Sequence, residues 1–190
     1  RGKLRSCGKA APSAELCILG NNGQTMAANQ VGEIAYKSKS VMKGYWKNDE
    51  ATAKSIKNGW FYTGDAGYLD EDGYLYIHDR IKDMIVSGGE NVYPAEVENA
   101  LFGHEAVGDV AVIGVPDEKW GEAVKAVVVL KPGANATEEE IIAYSRGKIA
   151  GYKIPKSVDF TDVLPRNPSG KLLKRELRKP YWEGKERQIN

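Results

Sequence analysis

The chain has few of the residues that hold metals and disulfides. Its 190 residues include two cysteines, Cys7 and Cys17, and two histidines, His78 and His104. So few and so scattered, they argue against a metal site and against a disulfide-stapled secreted fold. A single Cys7–Cys17 bridge stays open, although Cys17 lies in the apolar run Leu16-Cys17-Ile18-Leu19, where a small core residue is the simpler reading. Excess charge is also lacking: 27 Lys and Arg stand against 26 Asp and Glu, a formal net charge of +1 that removes the electrostatic case for a nucleic-acid binder. No apolar run approaches the roughly 20 residues of a membrane-spanning helix. Arg1-Gly2-Lys3-Leu4-Arg5 has no apolar stretch behind it to make a secretory signal. A cytoplasmic location is therefore expected. The chain lacks an initiator methionine and opens within what reads as a strand, so a fragment of a longer protein is also expected. Hydrophobic residues at 42% and charged ones at 28% exclude wholesale disorder.

The first 80 or so residues read as short strands and turns. Glu15–Leu19 and Gly32–Lys37 read as strands, with a tight turn at Gly20-Asn21-Asn22-Gly23. Asn48 suits the N-cap of a short helix expected to end near Asn58-Gly59. Gly67-Tyr68-Leu69 and Tyr74-Leu75-Tyr76-Ile77 form a hairpin across Asp70–Gly73. After Lys82 the pattern changes to strand, helix, strand, strand, helix, strand: Met84–Ser87, a helix from Pro94, Val110–Val115, Ala123–Leu130, a helix from Thr137 to about Ile149, and Lys156–Phe160. A basic helix from Leu172 follows. The expected class is α+β, with a β-rich region 1–82 followed by a small mixed-sheet domain 83–190 whose helices pack on one face of the sheet.

Three stretches carry chemistry as readily as they carry turns. In Tyr62-Thr63-Gly64-Asp65 the carboxylate could accept two hydrogen bonds from a vicinal diol, or simply sit in a turn. Asp79-Arg80-Ile81-Lys82-Asp83 followed by Ser87-Gly88-Gly89-Glu90-Asn91 reads as a solvated charge strip and turn, or as backbone that another molecule approaches closely. Pro165-Arg166-Asn167-Pro168-Ser169-Gly170-Lys171 reads as a linker, or as a mobile loop delivering one ammonium to a phosphate or carboxylate. It is not a Walker A loop, because the glycine spacing is wrong and Leu172 follows the lysine.

Together these stretches resemble the C-terminal part of AMP-forming acyl-CoA synthetases, the superfamily shared with luciferases and peptide-synthetase adenylation domains. The resemblance runs from Ala14 to Arg178. It includes Val31-Gly32-Glu33-Ile34, Gly59–Asp65, Asp79–Ile85, Ser87–Glu98, Gly114–Glu122 and Pro165–Lys171 in order. Gly-Gly-Glu-Asn-Val-Tyr-Pro is most similar to fatty-acid and aryl-acid CoA ligases. The resemblance implies ATP and CoA as co-substrates, a long-chain fatty acid or related small-molecule carboxylic acid as the third, and Mg2+ in the full-length enzyme but not bound by this chain. It implies that Asp65 and Arg80 hold the ribose of ATP, that Lys171 is the adenylation lysine, and that Lys82 is a hinge on which the mobile C-terminal domain changes pose. Gly88 and Gly89 would line the pantetheine tunnel; Trp120, Tyr152 and Lys156 would meet the CoA nucleotide.

Trp120 also reads as a packing residue, and Tyr152 and Lys156 as ordinary surface. Ile154 departs from relatives that carry a second basic residue there. The phosphate loop and acyl pocket of such enzymes belong to a large N-terminal domain missing here, so the chain alone is expected to be inactive. Exposed apolar surface around Val41, Tyr45, Trp46 and Trp60 is then expected to favour self-association. Two further readings stay open: an adenylation domain that loads a carrier protein, and a non-catalytic binding module of the same fold.

Overall fold

The structure is a computed structural model that describes residues 3–185. The outermost ends of both expected regions, residues 1–2 and 186–190, lie outside the described residues. Two compact units are present, one through Ile81 and one from Lys82 onward.

The first unit is an antiparallel sheet. β1 (Ala14–Leu19) pairs with β2 (Gly32–Ser38), β2 with β4 (Trp60–Leu69), and β4 with both β3 (Ile56–Lys57) and β5 (Leu75–Arg80). Ile18, Ile34, Ala35 and Ala66 form its buried centre. α1 (Asp49–Ser55) is capped as expected, the Asn48 side chain accepting from Ala51 N at 3.0 Å. The helix stops earlier than expected. Asn58 and Gly59, with φ of 52° and 80°, make the two-residue turn of a β3–β4 hairpin, because Asn-Gly adopts the left-handed turn backbone that most residues resist. Residues 3–5 are a turn rather than a strand, closed by Ser6 N donating to Lys3 O at 3.0 Å. Cys7 and Cys17 are both free thiols. Trp46 is 88% exposed, with Tyr45 and Met42 also exposed beside it in sequence.

The second unit is a mixed sheet. β6 (Ile85–Ser87) pairs with β7 (Glu90–Val92), α2 spans Pro94–Phe102, and β8 (Val107–Asp117) and β9 (Gly121–Leu130) form a long antiparallel hairpin. β10 (Ser157–Phe160) lies parallel to β9, while β6 meets β9 through Ser87 and Gly121. α3 is Glu138–Ser145, opened by the expected Thr137–Glu140 capping box. It ends four residues short of Ile149, since Arg146 leaves the helical backbone. α4 is Lys174–Trp182.

The helices cover both faces of this sheet, not one. Val110, Val112, Val124, Ala126 and Val128 pack with Val97 and Leu101 of α2 and Ile141 of α3. The alternate residues Ala111, Ile113, Val115, Ala123 and Val127 pack with Leu164, with Leu172, Leu177 and Tyr181 against them. A strand solvated on one face alternates apolar and polar side chains. The unbroken run Val110–Val115 is apolar at every position because both faces are covered.

Candidate functional site

In the first unit, strand register brings Asp65 and Arg80 together. β4 and β5 pair Leu69 with Leu75 and Gly67 with Ile77; continued unshifted, that register would set Asp65 against Asp79. A one-residue bulge between Ala66 and Gly67 sets Asp65 opposite Arg80 instead. Arg80 Nε then lies 2.7 Å from Asp65 Oδ1. The pair is partly exposed, and a carboxylate engaged through one oxygen keeps the other as an acceptor. Asp65 therefore lies in a strand, not in the turn that its sequence allowed. Two residues with no expected role hold it there. Asp65 N donates to Thr63 Oγ1 at 3.1 Å, Thr63 Oγ1 donates to Ile34 O at 2.8 Å, and Gly64 N donates to Glu33 Oε1 at 3.1 Å. The contacts to Ile34 and Glu33 span 29 and 31 residues, so only strand pairing could have revealed them.

Lys82 is the first residue of the second unit and sits in a 3-10 turn, Ile81–Asp83, with its side chain exposed. The next residue is anchored: Asp83 Oδ1 accepts from Arg178 Nη1 of α4 at 2.9 Å, both side chains being largely buried.

Gly88 and Gly89 form the turn between β6 and β7, with φ of 62° and 85°. Two consecutive left-handed residues are what a tight hairpin demands and glycine supplies. Gly88 N donates to Trp120 O at 2.8 Å. A Cβ at Gly88 would lie 2.6 Å from Cε3 of the Trp120 ring, whereas one at Gly89 would meet nothing within 4 Å. The structure thus brings Gly88, Gly89 and Trp120 together, Trp120 being 41% exposed. Gly89 and Trp120 border a cleft of about 470 Å³ lined also by Val86, Pro116, Glu122 and Trp182.

Tyr152 and Lys156 both precede β10 and are exposed: Tyr152 in the 3-10 turn Gly151–Lys153, Lys156 with its backbone N donating to Val124 O at 2.7 Å. Neither lines the cleft that Trp120 borders. Their neighbour Lys153 instead pairs with Glu96 of α2 at 2.7 Å.

Lys171 lies at the other end of the β8–β9 hairpin. Its turn is anchored through Arg166 Nη2, 2.6 Å from Asp109 Oδ2 near the start of β8, and the Lys171 side chain is exposed. The Gly88–Trp120 face sits where Asp117 pairs with Gly121. About 26 Å of strand separates Asp109 from Asp117. The turn is internally bonded: Gly170 N donates to Asn167 O at 2.8 Å, and Asn167 N to Lys171 O at 2.9 Å.

Among the described residues, no three His, Cys, Asp or Glu side chains gather as a metal cage. No helix among them is long and apolar enough to cross a membrane.

Comparison with known proteins agrees along most of the length. Residues 96–171 match the family described as AMP-binding enzyme C-terminal domain. The chain is 52% identical over 177 residues to a 2-succinylbenzoate–CoA ligase of Geobacillus kaustophilus (strain HTA426), covering 93% of this chain and 36% of the relative. A feruloyl-CoA synthase of an Amycolatopsis species is 49% identical over 179 residues, 94% of this chain and 36% of its own. A fatty acid–[acyl-carrier-protein] ligase, ScoC of Streptomyces coeruleorubidus, is 42% identical over 187 residues, 98% and 36% respectively. The crystal structure of ATP-bound MatB from Rhodopseudomonas palustris matches with a TM-score of 0.85 at 39% identity, covering 93% of this chain and 36% of that one. The o-succinylbenzoate CoA synthetase MenE of Bacillus subtilis, in complex with its acyl-adenylate intermediate, matches with a TM-score of 0.85 at 42% identity, covering 99% and 37%. The chain thus spans about a third of the length of the curated relatives it matches. Over that span its homologues are acyl- and aryl-CoA ligases of the adenylate-forming superfamily, and residues 96–171 match the AMP-binding enzyme C-terminal domain.

Proposed function

We propose that the chain is the C-terminal part of an AMP-forming acid–thiol ligase, which joins a carboxylic acid to CoA through an acyl-adenylate. The observation that carries this reading is the placement of two candidate faces, Lys171 and Gly88–Trp120, at opposite ends of one hairpin. Two half-reactions call for two sets of groups at one reaction centre, and a rigid domain with its groups at opposite ends can supply them by changing pose. Lys82, at the junction of the two units, is the proposed hinge, and residues 83–190 the mobile cap.

In the first half-reaction Asp65 accepts from the ribose diol of ATP, while Arg80 fixes the carboxylate and donates its remaining N–H groups. The Lys171 ammonium bridges the attacking carboxylate and the α-phosphate. It neutralises developing charge and aligns the nucleophile, with pyrophosphate as the leaving group. In the second, the CoA thiol attacks the acyl carbonyl and AMP leaves. Gly88 and Gly89 leave room for the pantetheine arm, and Trp120 offers a ring on which adenine stacks; Tyr152 and Lys156 are proposed at the nucleotide end. ATP, CoA and the acid are the proposed partners, together with an N-terminal domain of the same protein that holds the acyl pocket. By itself the chain is proposed to be inactive, with a cytoplasmic site of action. A long-chain fatty acid is the proposed substrate, with an aryl or succinylbenzoate-type acid as the alternative that the relatives' names raise.

The test is ATP–pyrophosphate exchange by the full-length protein with palmitate, ferulate and 2-succinylbenzoate, followed by CoA thioester formation. Exchange with one of these acids and a CoA thioester are expected. No exchange with any of them would contradict this reading. A second reading, transfer to a carrier protein, is favoured by the similarity to the acyl-carrier-protein ligase. Exchange without any CoA thioester would select it.

A further inference from the structure

We propose that Asn167 and Arg166 are positioning residues that clamp the peptide unit carrying Lys171, an inference that rests on Lys171 as the adenylation lysine. The Gly170–Lys171 peptide is gripped at both ends. Its carbonyl, Gly170 O, accepts from Arg166 Nη1 at 2.9 Å, and its N–H, on Lys171, donates to Asn167 Oδ1 at 2.8 Å. Lys171 O then accepts from Asn167 N at 2.9 Å, so both backbone polar groups of the lysine close on one residue. Asn167 Oδ1 is itself oriented by Ser169 Oγ, which donates to it at 2.8 Å.

The clamp is tied to the core of the domain. The second arm of the Arg166 guanidinium lies 2.6 Å from Asp109 Oδ2, so one planar fork spans from β8 to the residue before Lys171. Leu173 N donates to Pro165 O at 2.8 Å and closes the base of the turn, where Leu172 packs against the Leu164 cluster. A lysine side chain has four rotatable bonds of its own. Delivering its ammonium to a transition state therefore depends on a fixed starting point, and a displacement of about 1 Å at a reacting group can lower a rate on the order of 10²-fold. Lysine could not replace Arg166, because a single ammonium lacks the fork. Aspartate could replace Asn167, because it keeps an oxygen where Lys171 N–H and Ser169 O–H donate.

The test compares Lys171→Ala, Asn167→Ala, Asn167→Asp and Arg166→Ala in the full-length protein, with whichever of palmitate, ferulate and 2-succinylbenzoate supports exchange in the wild type. Pyrophosphate exchange, thioester formation from pre-made acyl-adenylate and the unfolding midpoint are read for each. Asn167→Ala and Arg166→Ala are expected to lower kcat for exchange about 10-fold, with KM for ATP, thioester formation and the midpoint close to wild type. Asn167→Asp is expected to recover most of the loss. Wild-type exchange in Asn167→Ala and Arg166→Ala beside a dead Lys171→Ala would overturn the clamp and leave the role of Lys171 standing. A parallel fall in both half-reactions would also overturn it, by showing a general structural role. Full exchange in Lys171→Ala would overturn the role of Lys171 itself, and the clamp with it.

Discussion

At one end of the β8–β9 hairpin, Lys171 stands on a turn whose backbone is bonded to its neighbours' side chains; at the other, Gly88 and Gly89 present a turn with no side chains, Gly88 beneath the ring of Trp120. The first end is built from polar groups, an asparagine amide and an arginine fork, that fix where one charge begins. The second is built by leaving groups out: the Trp120 ring fills the space a side chain at Gly88 would take, and nothing lies within 4 Å of a Cβ at Gly89. In the proposed function, delivering a charge and admitting a chain are opposite demands, and a single small domain would meet both by separating them along about 26 Å of strand.

The comparison breaks most sharply at Lys171. Lys171→Ala is expected to lower pyrophosphate exchange at least ~10²-fold while leaving thioester formation from pre-made acyl-adenylate unchanged. Next in size is the mirror experiment. Gly88→Leu forces a Cβ against the Trp120 ring on a backbone that L side chains rarely adopt. Thioester formation should fall about 30-fold, with exchange kept within about twofold. Asp65→Ala lies outside the hairpin and should touch neither end; it is expected to raise KM for ATP about 10-fold, measured by initial rates at saturating acid. Equal effects of Asp65→Ala on KM for ATP and on KM for CoA would show that the two units do not divide the work in this way.

The smallest effect concerns the support of α4, which begins three residues after Lys171. Tyr181 donates to Asp159 Oδ2, and Lys125 Nζ lies 2.6 Å from the other oxygen. Burial first, and the bond to Asp159 second, push the Tyr181 hydroxyl up to about 12. Burial opposes ionisation of Asp159, but Lys125 and Tyr181 together hold its carboxyl below the usual range. A tyrosine raised from its unfolded value near 10 contributes fully below that pH, and its contribution is lost as pH rises toward 12. The depressed carboxyl behaves oppositely, contributing above the unfolded carboxylate range and losing that as pH falls through its folded value. Tyr181→Phe should therefore cost about 1 kcal/mol at neutral pH. Denaturant titrations should show that difference shrinking between about pH 10 and 12.

Much of this was legible in the residues themselves, and the misses have physical causes. The capped helices and the long hairpin follow from local patterns that act over a few residues. β7, Glu90–Val92, escaped notice because three residues with two polar side chains carry no strand signature; only the glycine turn before it and the register with β6 make it a strand. The Asn58-Gly59 turn was readable as the strongest short hairpin signal, but the capped helix before it drew it in. The Lys171 turn looked loose because Pro, Ser and Gly are usual in linkers. What fixes it is Asp109, 57 residues away from Arg166, a partner no local pattern reveals. The Asp65–Arg80 pair needed a one-residue bulge that the sequence does not announce.

The most direct test is a single-turnover experiment on the full-length protein in which pyrophosphate release and AMP release are timed separately in Lys171→Ala and Gly88→Leu. The two-ended arrangement predicts a crossed result: pyrophosphate release slowed only in the lysine variant, and AMP release from pre-formed acyl-adenylate plus CoA slowed only in the glycine variant. Slowing of the same step in both variants would contradict it.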